Sequence, residues 1–171
     1  MSELHAILQT LRQPEYVHVL LNPLPVYGMV MGTLALAAGV VSRSRAGQHI
    51  GLVLVFLAAL AVWPVIHYGQ AGADRVQAMV YKEGQQWLAV HAARAETFAP
   101  LFYVTAGLAV AAAVALWKFP KLANWLPVVT LLLAVACIAA GGWIGHAGGQ
   151  IRHNEFRNGP PPPVPEEKHE H

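Results

Sequence analysis

Hydrophobic positions in this chain gather into four long runs, and charged residues are confined to the gaps between them. From Tyr16 to Val41 there is no Asp, Glu, Lys or Arg, and the centre of that run reads VYGMVMGTLALAAGVV. Further runs cover about 50–68 (IGLVLVFLAALAVWPVIHY), 97–117 (TFAPLFYVTAGLAVAAAVALW) and 123–146 (ANWLPVVTLLLAVACIAAGGWIGH). Each approaches or exceeds the roughly 20 residues a helix needs to cross a hydrocarbon core. The strict alternation of barrel strands is missing, which leaves helices as the spanning form. The expected fold is all-α. Four transmembrane helices, about 20–42, 48–68, 95–118 and 123–147, form an up-down bundle within a membrane domain 16–157.

The polar segments predict the rest of the architecture. Residues 1–15 place Leu4, Ile7, Leu8 and Leu11 at helical spacing, which predicts an amphipathic helix on the membrane surface. No basic start followed by an apolar run marks them as a cleavable leader. In 69–96, Val76, Met79, Val80, Trp87 and Val90 recur at roughly helical spacing. They predict a second outer-surface helix, interrupted near Gly84 and running into the third span. Residues 158–171 are proline-rich and then charged, the composition of an extended, disordered tail.

Charge sets the orientation. The 42–49 loop, SRSRAGQH, holds Arg43 and Arg45 with no acid, and the 118–121 loop, KFPK, holds Lys118 and Lys121 with no acid. The remaining polar segments mix both signs. The positive-inside bias puts the two short loops in the cytoplasm. Both termini and the 69–96 connection then face outward, in the periplasm of a bacterial inner membrane. Composition agrees, with 56% hydrophobic and only 12% charged residues, about half the charged share of a soluble domain. The mean hydropathy is +0.43. A net charge of +2 without a basic run argues against a nucleic-acid partner. The expected partners are the bilayer and a redox protein or larger membrane complex. The single cysteine, Cys137, rules out an internal disulfide and any CxxC motif.

Candidate chemistry rests on the histidines. His18 sits at the outer start of span one, His67 at the outer end of span two and His91 before the outer start of span three. His146 sits at the outer end of span four, and His153 follows it. Four helices thus deliver imidazoles to one layer, whereas His49 alone marks the cytoplasmic ends. Neutral imidazole ligates metals and haem iron, and helical bundles hold cofactors with side chains on facing helices. A b-type haem needs two such ligands, a flat slot and no covalent cysteine. The expected cofactor site is therefore drawn from His18, His67, His91, His146 and His153. Arg152 is placed to neutralise a propionate, and Glu96 or Glu155 to orient an imidazole.

Small residues supply a possible slot. Gly28 and Gly32 are spaced i, i+4, and Gly141, Gly145 and Gly149 form a stripe on span four, a pattern that more often serves helix packing. No catalytic residue is expected: HExxH is absent, and Ser42 and Ser44 lie opposite most of the histidines. Three functional classes stay open: a haem-binding electron-transfer protein, a cofactor-free structural or assembly subunit, and periplasmic metal handling aided by His169 and His171.

Four segments also carry a resemblance. HVLLNPLPVYG (18–28), YGQAGADRV (68–76), HAARAE (91–96) and GGQIRHNEFR (148–157) resemble a bacterial family of small four-helix integral membrane proteins with a domain of unknown function. The likeness covers most of 16–157, and GGxIRHxE is its most specific part. Matching positions are His18, Asn22, Pro25, Gly28, Gly69, His91, Glu96, Gly148, Gly149, Arg152, His153 and Glu155. Pro23 stands where members often carry a histidine, and Gln70 where they often carry an acid. The resemblance implies haem binding or respiratory electron transfer, and it agrees with the one-layer geometry in placing His18, His91 and His153 first as metal ligands.

Overall fold

The computed structural model describes residues 3–163, and the regular structure among them is helical throughout. The helices are α1 (Glu3–Thr10), α2 (Pro14–Leu21), α3 (Pro23–Val41), α4 (Arg45–Leu60), α5 (Val62–Met79), α6 (Lys82–Lys118) and α7 (Leu126–Arg152). A 3-10 turn at Asn154–Phe156 follows. Joined end to end they make four rods, Pro14–Val41, Arg45–Met79, Lys82–Lys118 and Leu126–Arg152, each long and apolar enough to cross a membrane. His169 and His171 lie outside the described residues.

Proline sets the joints in the first two rods. Pro23 has no amide to donate, so the rod steps from α2 to α3 at Asn22, whose backbone stays helical. Pro64 does the same one turn beyond Ala61, where α4 gives way to α5. Pro100 lies inside α6, which nevertheless runs unbroken. The first hairpin therefore has a joint in each of its rods, while α6 and α7 of the second each run as one unbroken helix.

Close packing comes from small residues. A Cβ on Gly32 would lie 2.8 Å from the Val55 amide nitrogen. Gly39 meets Gln48, and Gly51 meets Leu36, more closely still. Pairs 39–48, 32–55 and 28–58 fix α3 and α4 as antiparallel, with backbones touching. In the second hairpin, buried Ala99, Ala106, Ala109 and Ala112 of α6 pack among Ala134, Cys137 and Ala140 of α7. Thr105 and Thr130 are buried, but each hydroxyl donates to the carbonyl four residues back. Their polarity is thus absorbed within the helix. The outward faces carry Met31, Leu34, Leu57, Val104 and Leu132, all exposed. An apolar surface that continuous needs lipid to cover it.

The two hairpins meet with an approximate twofold pattern. The second rod of the first lies on the first rod of the second (α4 on α6), and α7 lies on α3 in return. Beyond the joints the pattern loosens. There α2 packs along α5 and α6 along α7, but contact between these two outer pairs is sparse.

The structure revises two expectations from the sequence. The 69–96 segment is not a separate surface helix. α5 continues to Met79, and α6 begins at Lys82, with the turn at Val80–Tyr81. Gly84 is no interruption. It lies inside α6, where a Cβ would fall 2.6 Å from the Ile151 carbonyl of α7, so its role is close approach. At the N-terminus, the surface helix ends at Thr10, and Pro14 already starts the first rod.

Candidate functional site: two cradled imidazoles

Of the outer-layer histidines, the structure brings His18 and His91 together. Their ring centres lie 6.2 Å apart with planes at 87°. His18 comes from α2 and His91 from α6, so the pair bridges the sparse zone between the outer helix pairs.

The two imidazoles are held in the same way. His18 Nδ1 donates to the Val65 carbonyl of α5 at 2.8 Å. His91 Nδ1 donates to the Ile144 carbonyl of α7 at 3.0 Å. A carbonyl can only accept, so each bond places the proton on Nδ1 and leaves Nε2 with its lone pair. In each case a glycine sits four residues beyond the accepting carbonyl. A Cβ on Gly69 would lie 2.8 Å from His18 Nδ1, and one on Gly148 would lie 3.1 Å from His91 Nδ1. The missing side chains let an imidazole lie against the helix and reach a carbonyl that already serves the helical ladder.

This repetition follows the pseudo-twofold pattern. The cradles read His67-Tyr68-Gly69 and His146-Ala147-Gly148, the same His-x-Gly at equivalent places in the two hairpins. Their histidines point elsewhere. His67 is exposed and stacks on Trp63 at 5.9 Å. His146 is exposed, with its ring 6.4 Å from Trp87.

The other candidates do not join the pair. His153 is exposed, stacks on Phe156 at 4.7 Å and bonds Glu155 at 2.8 Å. The Glu155 carboxyl is held below its ordinary range, first by its own backbone amide and then by His153. Arg152 is exposed. Glu96 accepts from Gln70 at 3.3 Å, not from an imidazole. Among the described residues, no group of three or more His, Cys, Asp or Glu is placed to hold a metal ion.

Three features were not read from the sequence. Gly148, not the 141–145–149 stripe, is the glycine against an imidazole. Gly145 has open space where its Cβ would be, and with Gly141 and Gly148 it lies on one face of α7. Val26 covers Gly141, so Gly145 alone of the three leaves open backbone, one turn from the His91 cradle. Arg157 ties the chain end to both helices of the second hairpin. It donates to the Gln150 and Ile151 carbonyls and to Glu83 at 2.8–3.1 Å. Trp87 is buried one turn before His91, and its indole N–H has no hydrogen-bond partner. The level is also set. His91 lies opposite 144–148 of α7, about 30 Å from its start at Leu126, one hydrocarbon thickness away.

Comparison of the chain with family models, curated proteins and solved structures finds no match.

Proposed function

We propose that this chain is an integral inner-membrane protein holding one b-type haem between His18 and His91, near the periplasmic face, and that it takes part in electron transfer. The observation carrying this reading is the His18–His91 pair, each ring cradled by glycine and each with Nδ1 committed to a carbonyl. Two imidazoles holding one metal between them through Nε2 would have ring centres about 6.3 Å apart. The pair spans 6.2 Å. The ring-centre spacing is compatible with one metal held between the two rings, and tetrahedral ligation would bring the centres about an ångström closer.

Three further features support the fit. The sparse zone between the outer helix pairs is where a flat group would lie. The pseudo-twofold relation of the two cradles suits a cofactor with two equivalent faces. Trp87 offers a buried donor for a propionate, in place of the exposed Arg152. The positive-inside loops are the basis for the periplasmic placement.

A haem held by His18 and His91 would supply one-electron redox chemistry. The chain's own residues do the rest. The Val65 and Ile144 carbonyls fix the tautomer and raise ligand basicity. Gly69 and Gly148 set how deep each ring sits.

The test is the absorption spectrum of the full chain purified in detergent after haem-replete expression. A Soret band is expected at one haem per chain. It should be lost in His18→Ala and in His91→Ala, and kept in His67→Ala, His146→Ala and His153→Ala. Absence of the band in the parent protein, or its survival in both His18→Ala and His91→Ala, would overturn the assignment in favour of a cofactor-free subunit.

A further inference from the structure

The opposite end of the bundle has a feature the haem reading does not use. An open groove of about 490 Å³ runs between α4 and α6. Its walls are Leu52, Val53 and Phe56 on one side and Ala109, Ala113 and Val114 on the other, with His49 and Trp117 at one end. That end is the charged one. Arg45 begins α4 one turn before His49, and Lys118 directly follows Trp117. Arg43 and Lys121 lie in the adjoining links, all four cations are exposed, and no acid occurs anywhere in 16–73 or 97–154. Lys118 rests its ammonium 5.7 Å from the Trp117 ring, at the mouth of the groove.

From this we propose that the α4–α6 groove is a binding site for an anionic phospholipid. The acyl chains lie along the alanine-lined wall, and the phosphate meets Lys118, Arg45 and His49. Small side chains on α6 make the groove: Ala109 and Ala113 leave room that larger residues would fill. The charge argument selects among lipids. Basic pockets between membrane helices favour anionic headgroups, and each Lys or Arg near the surface adds about fivefold in affinity. A zwitterionic lipid would gain the apolar contact without that factor. Arg45 also donates to the Ala123 carbonyl at 3.1 Å, so the headgroup site and the α6–α7 link share one residue.

Native mass spectrometry of the full chain, with equal amounts of phosphatidylglycerol and phosphatidylcholine, tests the site without reference to haem. A retained phosphatidylglycerol adduct is expected in preference to phosphatidylcholine. Lys118→Gln should reduce that preference about fivefold, and Ala113→Leu should reduce retention of both lipids. Lys118 is exposed, so its substitution leaves the bundle intact and keeps the test meaningful if Ala113→Leu fails to fold. Equal retention of the two lipids in the parent protein, or an unchanged preference in Lys118→Gln, would overturn the proposal.

Discussion

Adding a single methyl group at Gly69 tests the cradle directly. In Gly69→Ala the new Cβ would lie 2.8 Å from His18 Nδ1 and 3.0 Å from Cε1. Ordinary van der Waals contact begins at 3.4 Å, so the ring must retreat by about 0.6 Å. The bond to the Val65 carbonyl, 2.8 Å long, then stretches to the edge of what counts as a hydrogen bond. Loss of that bond costs about 1 kcal/mol, and the forced shift of a packed group about 1–3 kcal/mol. The expected destabilisation is about 2–4 kcal/mol, offset by less than 1 kcal/mol of improved helix propensity. Displacement of a ligand's supporting bond typically lowers metal affinity 10- to 100-fold. Gly148→Ala starts from a looser 3.1 Å and should do less. Gly142→Ala points into open space and serves as the control. The assays are thermal unfolding in detergent and haem content by absorbance, measured on all three variants. If Gly69→Ala matched Gly142→Ala in both, the cradle would have no role in holding His18.

Other substitutions probe the surrounding structure. Gly51→Val drives a side chain into the α3 backbone at Leu36 and should cost more than about 3 kcal/mol, seen as loss of the monodisperse peak on size exclusion. Arg157→Gln removes three hydrogen bonds from a guanidinium only 12% exposed and should cost about 1–3 kcal/mol, with faster hydrogen exchange in 150–157. Glu83→Gln touches the same guanidinium from a side chain 73% exposed and should change stability by less than about 1 kcal/mol. Gly145→Ala meets nothing within 4 Å in the protein and should leave apoprotein stability unchanged or slightly raised by the same thermal assay.

The four rods could be read from the chain because charge vanishes from them, and lipid imposes that rule on any spanning helix. The helices run past those spans. α5 and α6 continue past the apolar runs into polar sequence, since buried Gly72, Gly84, Trp87 and Val90 pack those extensions against α2 and α7. Five histidines could be placed in one layer by counting along helices, but that spacing fixes a face only within each helix. Which rings meet depends on helix rotation and on the joints at Asn22 and Ala61, and no single rod encodes either. The glycine stripe at 141, 145 and 149 pointed to the correct helix but not to Gly148. A usable signal was present in the repeated His-x-Gly at 67–69 and 146–148. Read as two copies of one hairpin, it marks the cradle glycines, whose partners are then the histidines early in the first rod of each copy.

Whether iron is held by two imidazoles is the most direct test of the central claim. Low-temperature electron paramagnetic resonance of the oxidised, purified chain distinguishes bis-imidazole haem from every alternative, and it also reports the angle between the ligand planes. With planes at 87°, a low-spin signal with a large, strongly anisotropic g-maximum is expected, and it should vanish in both His18→Ala and His91→Ala. A high-spin signal, a low-spin signal unchanged in both variants, or no haem signal at all would contradict a haem held between His18 and His91.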